Sequence, residues 1–214
     1  MNKKRVELSV HTNMSLLDSV TSAEDYICEA VKDQQPAIAI TDNCSVQALP
    51  KAFKSSERIG GIKIIYGCEL HYRKEYTFYM LAKNRNGLKE MYKIISKAYS
   101  NCDGDIPVIP LDEVSCKDLI LGISIMSEPI EKIMNGEDNR TIESVIKKFD
   151  YILLNPVEYF DWYTKGKIKD KSQAEEIIKR VIAICEKNNV LPIASDEAYF
   201  TFSDDGECRK FLLD

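Results

Sequence analysis

Short apolar runs alternate along the chain with longer amphipathic segments. Runs of four to seven residues that are rich in β-branched side chains predict strands, and apolar positions spaced three and four apart predict helices. The predicted strands span 5–10, 36–41, 63–67, 77–82, 119–125, 151–154 and 191–194, and the clearest helices span 23–32, 49–59, 88–99 and 172–188. This alternation predicts parallel strands joined by right-handed crossovers, as in a closed or nearly closed α/β barrel.

The composition is that of one globular domain. The 214 residues are 44% hydrophobic and 29% charged, which provides enough apolar material for a sizeable core. With 29 basic and 34 acidic side chains, the formal net charge is −5. An acidic domain repels phosphate backbones, so we expect this chain to contact DNA only indirectly.

The cysteine pattern and the hydropathy bear on the cellular compartment. The seven cysteines are odd in number, and no two of them have C-x-x-C spacing, so we interpret them as reduced, packed thiols. No apolar run reaches 18 residues, and no apolar segment follows the basic start of the chain. We therefore expect a cytoplasmic protein without a membrane-spanning segment.

Polar side chains follow several of the predicted strands at the point where each strand ends. They are Ser9 and His11, the pair Asp42 and Asn43, then Glu69 and Asp196. Any one of them has a structural explanation, because Asp and Asn also start turns and cap helices. Functional groups gather at the carboxyl ends of parallel barrel strands, however, so three carboxylates and a histidine together favour a former or present cation site.

Five segments resemble the motifs of the polymerase-and-histidinol-phosphatase (PHP) domain. They are RVELSVHTNMSLLDSV at 5–20, PAIAITDN at 36–43, IIYGCEL at 64–70, YTFYMLAKNRNGLKEMYKIIS at 76–96 and LPIASDEAYF at 191–200. The resemblance is strongest to the PHP domain of PolC-type DNA polymerase III alpha subunits. It implies a distorted, seven-stranded, TIM-like (β/α) barrel and a single PHP domain over 1–214.

PolC-type proteins normally carry a proofreading exonuclease inside the PHP domain, after the G-x-E strand. Here Glu69 and Tyr76 are separated by only the six residues LHYRKE, so that insertion is absent. Because the intervening segment is polar and charged, we expect 70–75 to form an exposed turn that tolerates insertions.

The resemblance also implies a set of metal ligands, several of which are missing from this chain. The retained ligands are His11, Asp18, Glu69 and Asp196, and other residues replace the family ligands at Ser9, Asn43, Thr77, Ile125 and Ala198. Hydroxyl, amide and methyl side chains are weak or useless ligands for Zn, Mn and Fe, and hydrolysis by such clusters needs two close metals. We therefore expect no metal, or at most one residual divalent ion (Zn, Mn or Mg).

Three functions remain open at this stage. The first is a degenerate, non-catalytic accessory module whose partner is the polymerase core of the same or a related chain, so that the DNA polymerase activity would belong to the parent chain. The second is a metal-dependent phosphoesterase or 3′–5′ exonuclease with a reduced site, and the third is a free-standing binding protein. In each case we expect Glu69 and Asp196 to converge at the barrel mouth. Water, a proton or a nearby cation would then relieve their repulsion.

Overall fold

The computed structural model describes residues 5–15, 18–115 and 117–213 as an α/β fold around one curled sheet. The strands are β1 (Ala37–Ile40), β2 (Lys63–Arg73), β3 (Tyr76–Ala82), β4 (Cys102–Asp103), β5 (Ile106–Pro107), β6 (Leu119–Ser124), β7 (Tyr151–Leu154) and β8 (Leu191–Ala194). The helices are α1 (Ala23–Lys32), α2 (Leu49–Ile59), α3 (Arg85–Tyr99), α4 (Glu128–Met134), α5 (Asn139–Ile146), α6 (Glu158–Tyr163), α7 (Lys171–Asn188) and α8 (Ser203–Leu213).

The main sheet is mixed rather than purely parallel. Its strand order is β1-β2-β3-β6-β7-β8, and β3 runs antiparallel to both of its neighbours. The prediction of parallel strands throughout is therefore wrong at β3, whereas the β1–β2, β6–β7 and β7–β8 pairs are parallel. The reason lies in the connection from β2 to β3, because two residues can close a hairpin but cannot cross over a sheet.

Residues 5–11 close the sheet into a ring. They form no regular strand, but isolated parallel bridges join Glu7 to Ile38 on one side and Val10 to Ala198 on the other. The backbone N–H of Ala39 donates to the Glu7 carbonyl at 2.9 Å, and the N–H of His11 donates to the Ala198 carbonyl at 2.9 Å. With this segment as the seventh member, the predicted distorted, TIM-like barrel is confirmed.

The two faces of the sheet carry two separate apolar clusters, because successive strand side chains point to opposite faces. The larger cluster packs the outer face against the helices and includes Ile38, Phe78, Met80 and Ile152. The smaller cluster fills the barrel interior and consists of Ala39, Tyr79, Leu81, Tyr151 and Leu153, with Leu8, Ile65, Ile120 and Ile193 packed against it.

Glycine is required where the interior is most crowded. A Cβ added to Gly122 of β6 would lie 2.0 Å from Cζ of the Tyr151 ring. The absence of a side chain at Gly122 therefore allows the Tyr151 ring to fill the barrel below the strand ends.

Local signals account for the helix boundaries. Ser22 caps α1, since its Oγ accepts from the Asp25 N–H at 3.2 Å. Gly60, at a φ of 75°, ends α2, and Asn84 caps α3 by accepting from the N–H groups of Asn86 and Gly87. Among the described residues, no helix is both long and apolar enough to cross a membrane.

The β2–β3 hairpin differs from the predicted exposed turn over 70–75. Strand β2 continues to Arg73, and Leu70 and Tyr72 are buried in it. Only Lys74 and Glu75 form the turn. The polar residues His71 and Arg73 share a face of β2 with Glu69, and the alternate residues Leu70 and Tyr72 pack in the larger, outer cluster.

We predict that a small folded domain inserted between Lys74 and Glu75 will leave the melting temperature nearly unchanged. The insertion point lies beyond the last pair of the ladder, Arg73 with Tyr76, so no sheet hydrogen bond is lost. Thermal unfolding of the purified fusion measures this. The same insertion between Leu70 and His71 is the control, and it should lower the melting temperature strongly because it interrupts paired strands. Equal decreases in melting temperature for the two insertions would contradict this description of the hairpin.

Candidate functional site

A buried pair of side chains, His11 and Glu69, lies at the carboxyl end of the parallel strands. His11 Nε2 is 3.3 Å from Glu69 Oε2, and the His11 side chain has no exposed surface. Ser9 Oγ lies 3.4 Å from the same His11 nitrogen and donates to the Tyr79 hydroxyl at 3.2 Å. The closing segment and β2 therefore bring His11 and Glu69 together directly above the apolar interior of the barrel.

Burial makes this pair neutral near pH 7. It raises the pKa of Glu69 to about 8. The hydrogen bond from Thr77 opposes this shift, whereas the negative charges of Glu197 and Asp18 add to it. Burial, followed by the positive charge of Arg209, lowers the pKa of His11 to about 3. Near pH 7 these shifts favour a neutral Glu69 carboxyl beside a neutral imidazole.

A cation from the last helix lies beside this pair. Arg209 of α8 donates from Nη2 to Asp18 Oδ1 at 2.9 Å and from Nε to the Asp18 carbonyl at 2.8 Å. Its guanidinium lies 4.0 Å over the Tyr199 ring, and that ring stacks on His11 with centroids 4.4 Å apart and planes 12° apart. Guanidinium, phenol and imidazole thus form a column that covers the mouth of the barrel.

Asp196 does not converge with Glu69, contrary to expectation. Its half-exposed carboxylate pairs with Arg5 at 2.8 Å, whereas the carboxylates that add to the effect of burial on the pKa of Glu69 are those of Glu197 and Asp18. Glu197 has a φ of 49°, in the left-handed region, and this turn ends the alternation of side chains after β8. Burial raises the pKa of Glu197 as well, while Ser124 and Asn155 oppose that shift.

Four of the five positions where we expect a family ligand to be replaced, Ser9, Asn43, Thr77 and Ala198, lie near the His11–Glu69 pair. Asn43 forms a backbone bridge with Glu69, and Ala198 forms one with Val10, the residue before His11. Thr77 hydrogen-bonds the Glu69 carboxyl. Ile125 is different, since its side chain packs in the outer core.

Asp42, the carboxylate beside Asn43, has a structural role. It is buried and accepts hydrogen bonds from the Thr12 N–H at 2.6 Å, the Thr12 hydroxyl at 2.9 Å and the Ser15 hydroxyl at 2.8 Å. Burial raises the pKa of Asp42, and these donors oppose the shift. Asp42 therefore fixes the loop after the closing segment, and its oxygens are not directed at His11.

The sequence matches the family model for the PHP domain over residues 7–191. The chain belongs to the PHP domain family. Similar segments occur in PolC-type DNA polymerase III from Latilactobacillus sakei, at 44% identity over 68 residues, and from Halalkalibacterium halodurans, at 50% identity over 68 residues. Each alignment covers 32% of this PHP chain and 5% of the polymerase, so the chain matches a small fraction of those relatives' length.

Two solved structures share the fold of this PHP domain. One is a protein from Bifidobacterium adolescentis assigned as a metal-dependent phosphoesterase, with a TM-score of 0.55, 13% identity and 97% coverage of both chains. The other is an amidohydrolase from Chromobacterium violaceum solved with sulfate and no metal, with a TM-score of 0.54, 10% identity, and 91% and 87% coverage. At these identities the similarity describes the fold alone.

The donors of this PHP domain do not fit a metal cluster. Within the described ranges, no three His, Cys, Asp or Glu side chains lie close enough together to hold a metal ion. His11 Nδ1 is buried without a hydrogen-bond partner and could act as a donor. However, Asp18 is paired with Arg209 and Asp196 with Arg5. Two adjacent donors, His11 and Glu69, fall short of the three or more that a zinc site requires.

Sequence reasoning missed Arg209, Tyr199 and Glu197. Arg209 is 191 residues from Asp18 along the chain, and no local spacing links them. The tandem acids Asp196 and Glu197 did signal a carboxylate at the strand end. A left-handed backbone angle at Glu197 determines which of these two carboxylates points to the mouth, and neither residue type requires that angle.

We predict that the stability of the domain falls as the pH rises from about 6.5 to 8. A folded pKa above the ordinary value of 4.5 means that the contribution of Glu69 is complete at low pH and is lost by about pH 8. The lowered pKa of the buried His11 makes the stability increase with pH, but only below the ordinary pKa of 6.5. The slope from Glu69 is at most ~1.4 kcal/mol per pH unit. Urea unfolding at several pH values measures it.

The variant Glu69→Gln should flatten this pH dependence, because the amide keeps the shape of the side chain and cannot ionise. Glu176→Gln on the exposed face of α7 is the matched control, and it should retain the wild-type slope. An unchanged slope in Glu69→Gln would show that other groups control the pH dependence.

Proposed function

We propose that this chain is a degenerate, non-catalytic PHP domain that acts as a structural module of a PolC-type DNA polymerase III alpha chain. In this proposal 1–214 form one cytoplasmic domain without an exonuclease insertion, the parent chain has the polymerase activity, and the domain contacts DNA only through that chain. Residual ligands at His11, Asp18, Glu69 and Asp196 hold no functional metal.

The single observation that carries the proposal is the engagement of Arg209 at the mouth. Phosphoester hydrolysis by a metal cluster requires bare carboxylates and imidazoles that face a shared cavity. Here a guanidinium binds Asp18 and stacks on Tyr199, which in turn covers His11. The positive charge that a metal would supply comes instead from the protein's own α8.

The chemistry of the remaining donors supports the same reading. Protonated Glu69 is a poor metal ligand, and its proton is held by burial and by neighbouring carboxylates. A metal would bind Glu69 only after the carboxyl lost its proton, and the raised pKa opposes that loss. The side chains of Ser9, Thr77 and Ala198 would add little metal-binding energy.

The similarity to polymerases supports the choice of partner. The aligned relatives are PolC-type DNA polymerase III proteins, and the shared segment makes up 4–5% of their length. A conserved barrel without its chemistry can still present a folded surface to the rest of a large chain. We therefore propose the polymerase core as the partner.

We predict that the chain purified without chelator carries less than one equivalent of Zn, Mn or Fe and does not hydrolyse p-nitrophenyl phosphate or single-stranded DNA. Elemental analysis and a product assay measure both. Two or more equivalents of metal together with turnover would overturn the proposal in favour of a reduced phosphoesterase or exonuclease site.

A converse variant in the same experiment introduces four histidines, Ser9→His, Asn43→His, Thr77→His and Ala198→His. These positions surround His11 and Glu69, so this variant should take up metal that the unaltered chain does not. The control places four histidines on exposed positions, Lys54→His, Lys89→His, Lys147→His and Lys179→His. Equal uptake by both variants would mean that the barrel no longer directs those four positions at one cavity.

We further predict that the chain, added in trans, co-elutes with a PolC-type polymerase that lacks its own PHP residues and raises its melting temperature. The effect should persist in EDTA, because a structural module needs no metal. Loss of the effect in EDTA would indicate a metal-dependent role, and no effect in either buffer would favour a free-standing binding protein.

A further inference from the structure

A basic groove lies at the end of the barrel opposite the His11–Glu69 pair. It has a volume of about 860 Å³ and lies between α2 and α3, over the first residues of β2. Its lining includes Phe53, Lys63, Ile64, Ile65, Lys83 and Arg85. Three of these residues are cationic and none is acidic, although the chain as a whole has a net charge of −5.

The groove contains an unpaired strand edge. The ladder between β2 and β3 begins at Gly67 opposite Leu81, so within the described residues 63–66 have no ladder partner on the β3 side. The Lys63 N–H bonds the Pro36 carbonyl on the β1 side. Because backbone groups alternate sides along a strand, the N–H and C=O of Ile64 point into the groove.

Two of the cations, Lys63 and Arg85, have no partner of opposite charge in the part of the chain that the structure describes. Neither has a carboxylate oxygen within 4.0 Å. Arg85 is the first residue of α3, whose first turn has no acidic side chain. A cation at a helix N-terminus is unfavourable for the helix, so Arg85 and the helix end both add positive potential at the groove.

The floor of the groove is apolar and partly open. Ile65, Leu88 and Ile120 are incompletely buried, and Phe53 on the α2 wall is 50% exposed. Aliphatic surface of this kind is stabilised by apolar side chains, and the free backbone groups of Ile64 can be satisfied by another strand. The floor and the strand edge together therefore favour a protein ligand.

We propose that this groove binds an extended, acidic segment of a protein, which adds to the free edge of β2. The segment forms backbone hydrogen bonds with Ile64, directs apolar side chains onto the floor, and places carboxylates beside Lys63 and Arg85. This mode of recognition is β-strand addition, in which the main chain supplies affinity and alternate side chains supply specificity. It depends on none of the residues at the barrel mouth.

The test uses the full chain and a fluorescein-labelled peptide of alternating glutamate and valine. Fluorescence anisotropy should show saturable binding, and Arg85→Glu should weaken it at least tenfold. Glutamate at this helix position suits the helix dipole, so the variant should remain folded. Lys179→Glu, on the exposed face of α7, is the matched control and should bind as the wild type does.

Two further probes separate strand addition from simple charge attraction. A peptide N-methylated at alternate residues keeps its charge but loses donors, and it should bind at least tenfold more weakly. Hydrogen exchange of the Ile64 amide should slow when the unmodified peptide binds. Equal binding by both peptides, or no change at Ile64, would overturn the proposal. Preferential binding of a single-stranded oligonucleotide would assign the groove to nucleic acid, and no binding would mean that the lysines only guard the edge against aggregation.

Discussion

The convergence of carboxylates at the strand ends is the constraint on which the rest of this structure depends. Isolated charges cannot remain in a buried site, so each must gain a proton, a cation or several hydrogen-bond donors. This chain uses a different solution for each position. Glu69 keeps a proton, Asp18 binds Arg209, and Asp42 accepts three hydrogen bonds from the loop of Thr12 and Ser15. In combination these solutions leave little free negative charge for an external cation to neutralise.

On the opposite side of the mouth, the contacts that neutralise carboxylates also close the barrel. Arg5 binds both the buried Glu7 and the half-exposed Asp196, and Glu7 also accepts from the Ser195 hydroxyl at 2.7 Å. These contacts join the first segment of the chain to the end of β8, where the backbone bridge from Val10 to Ala198 completes the ring. Loss of the Arg5 contacts would therefore affect closure as well as charge, whereas loss of Arg209 would uncover the mouth.

The elements were predictable from the sequence to the extent that local signals define them. Strand β7 and helix α1 have the predicted bounds because their apolar patterns lie within the element. In α1, Ser22 also marks the start of the helix, directly before Ala23. The antiparallel direction of β3 depended on the length of a turn within a polar segment that also encodes a strand. The site was predictable in its location and partly in its members. The choice of Glu197 over Asp196 depends on one backbone angle, and Arg209 reaches Asp18 only through the tertiary fold.

The two ends of β2 therefore have separate physical roles. Glu69, at the mouth, lies six residues from Lys63, at the groove, which is about 20 Å along an extended strand. At this separation exposed charges at one end are largely screened from the other at physiological salt. Side-chain changes at the mouth therefore leave the potential of the groove unchanged. The proposed function at the mouth and the proposed binding at the groove are independent, since Ile64 offers its backbone there whatever side chains occupy positions 9 and 77.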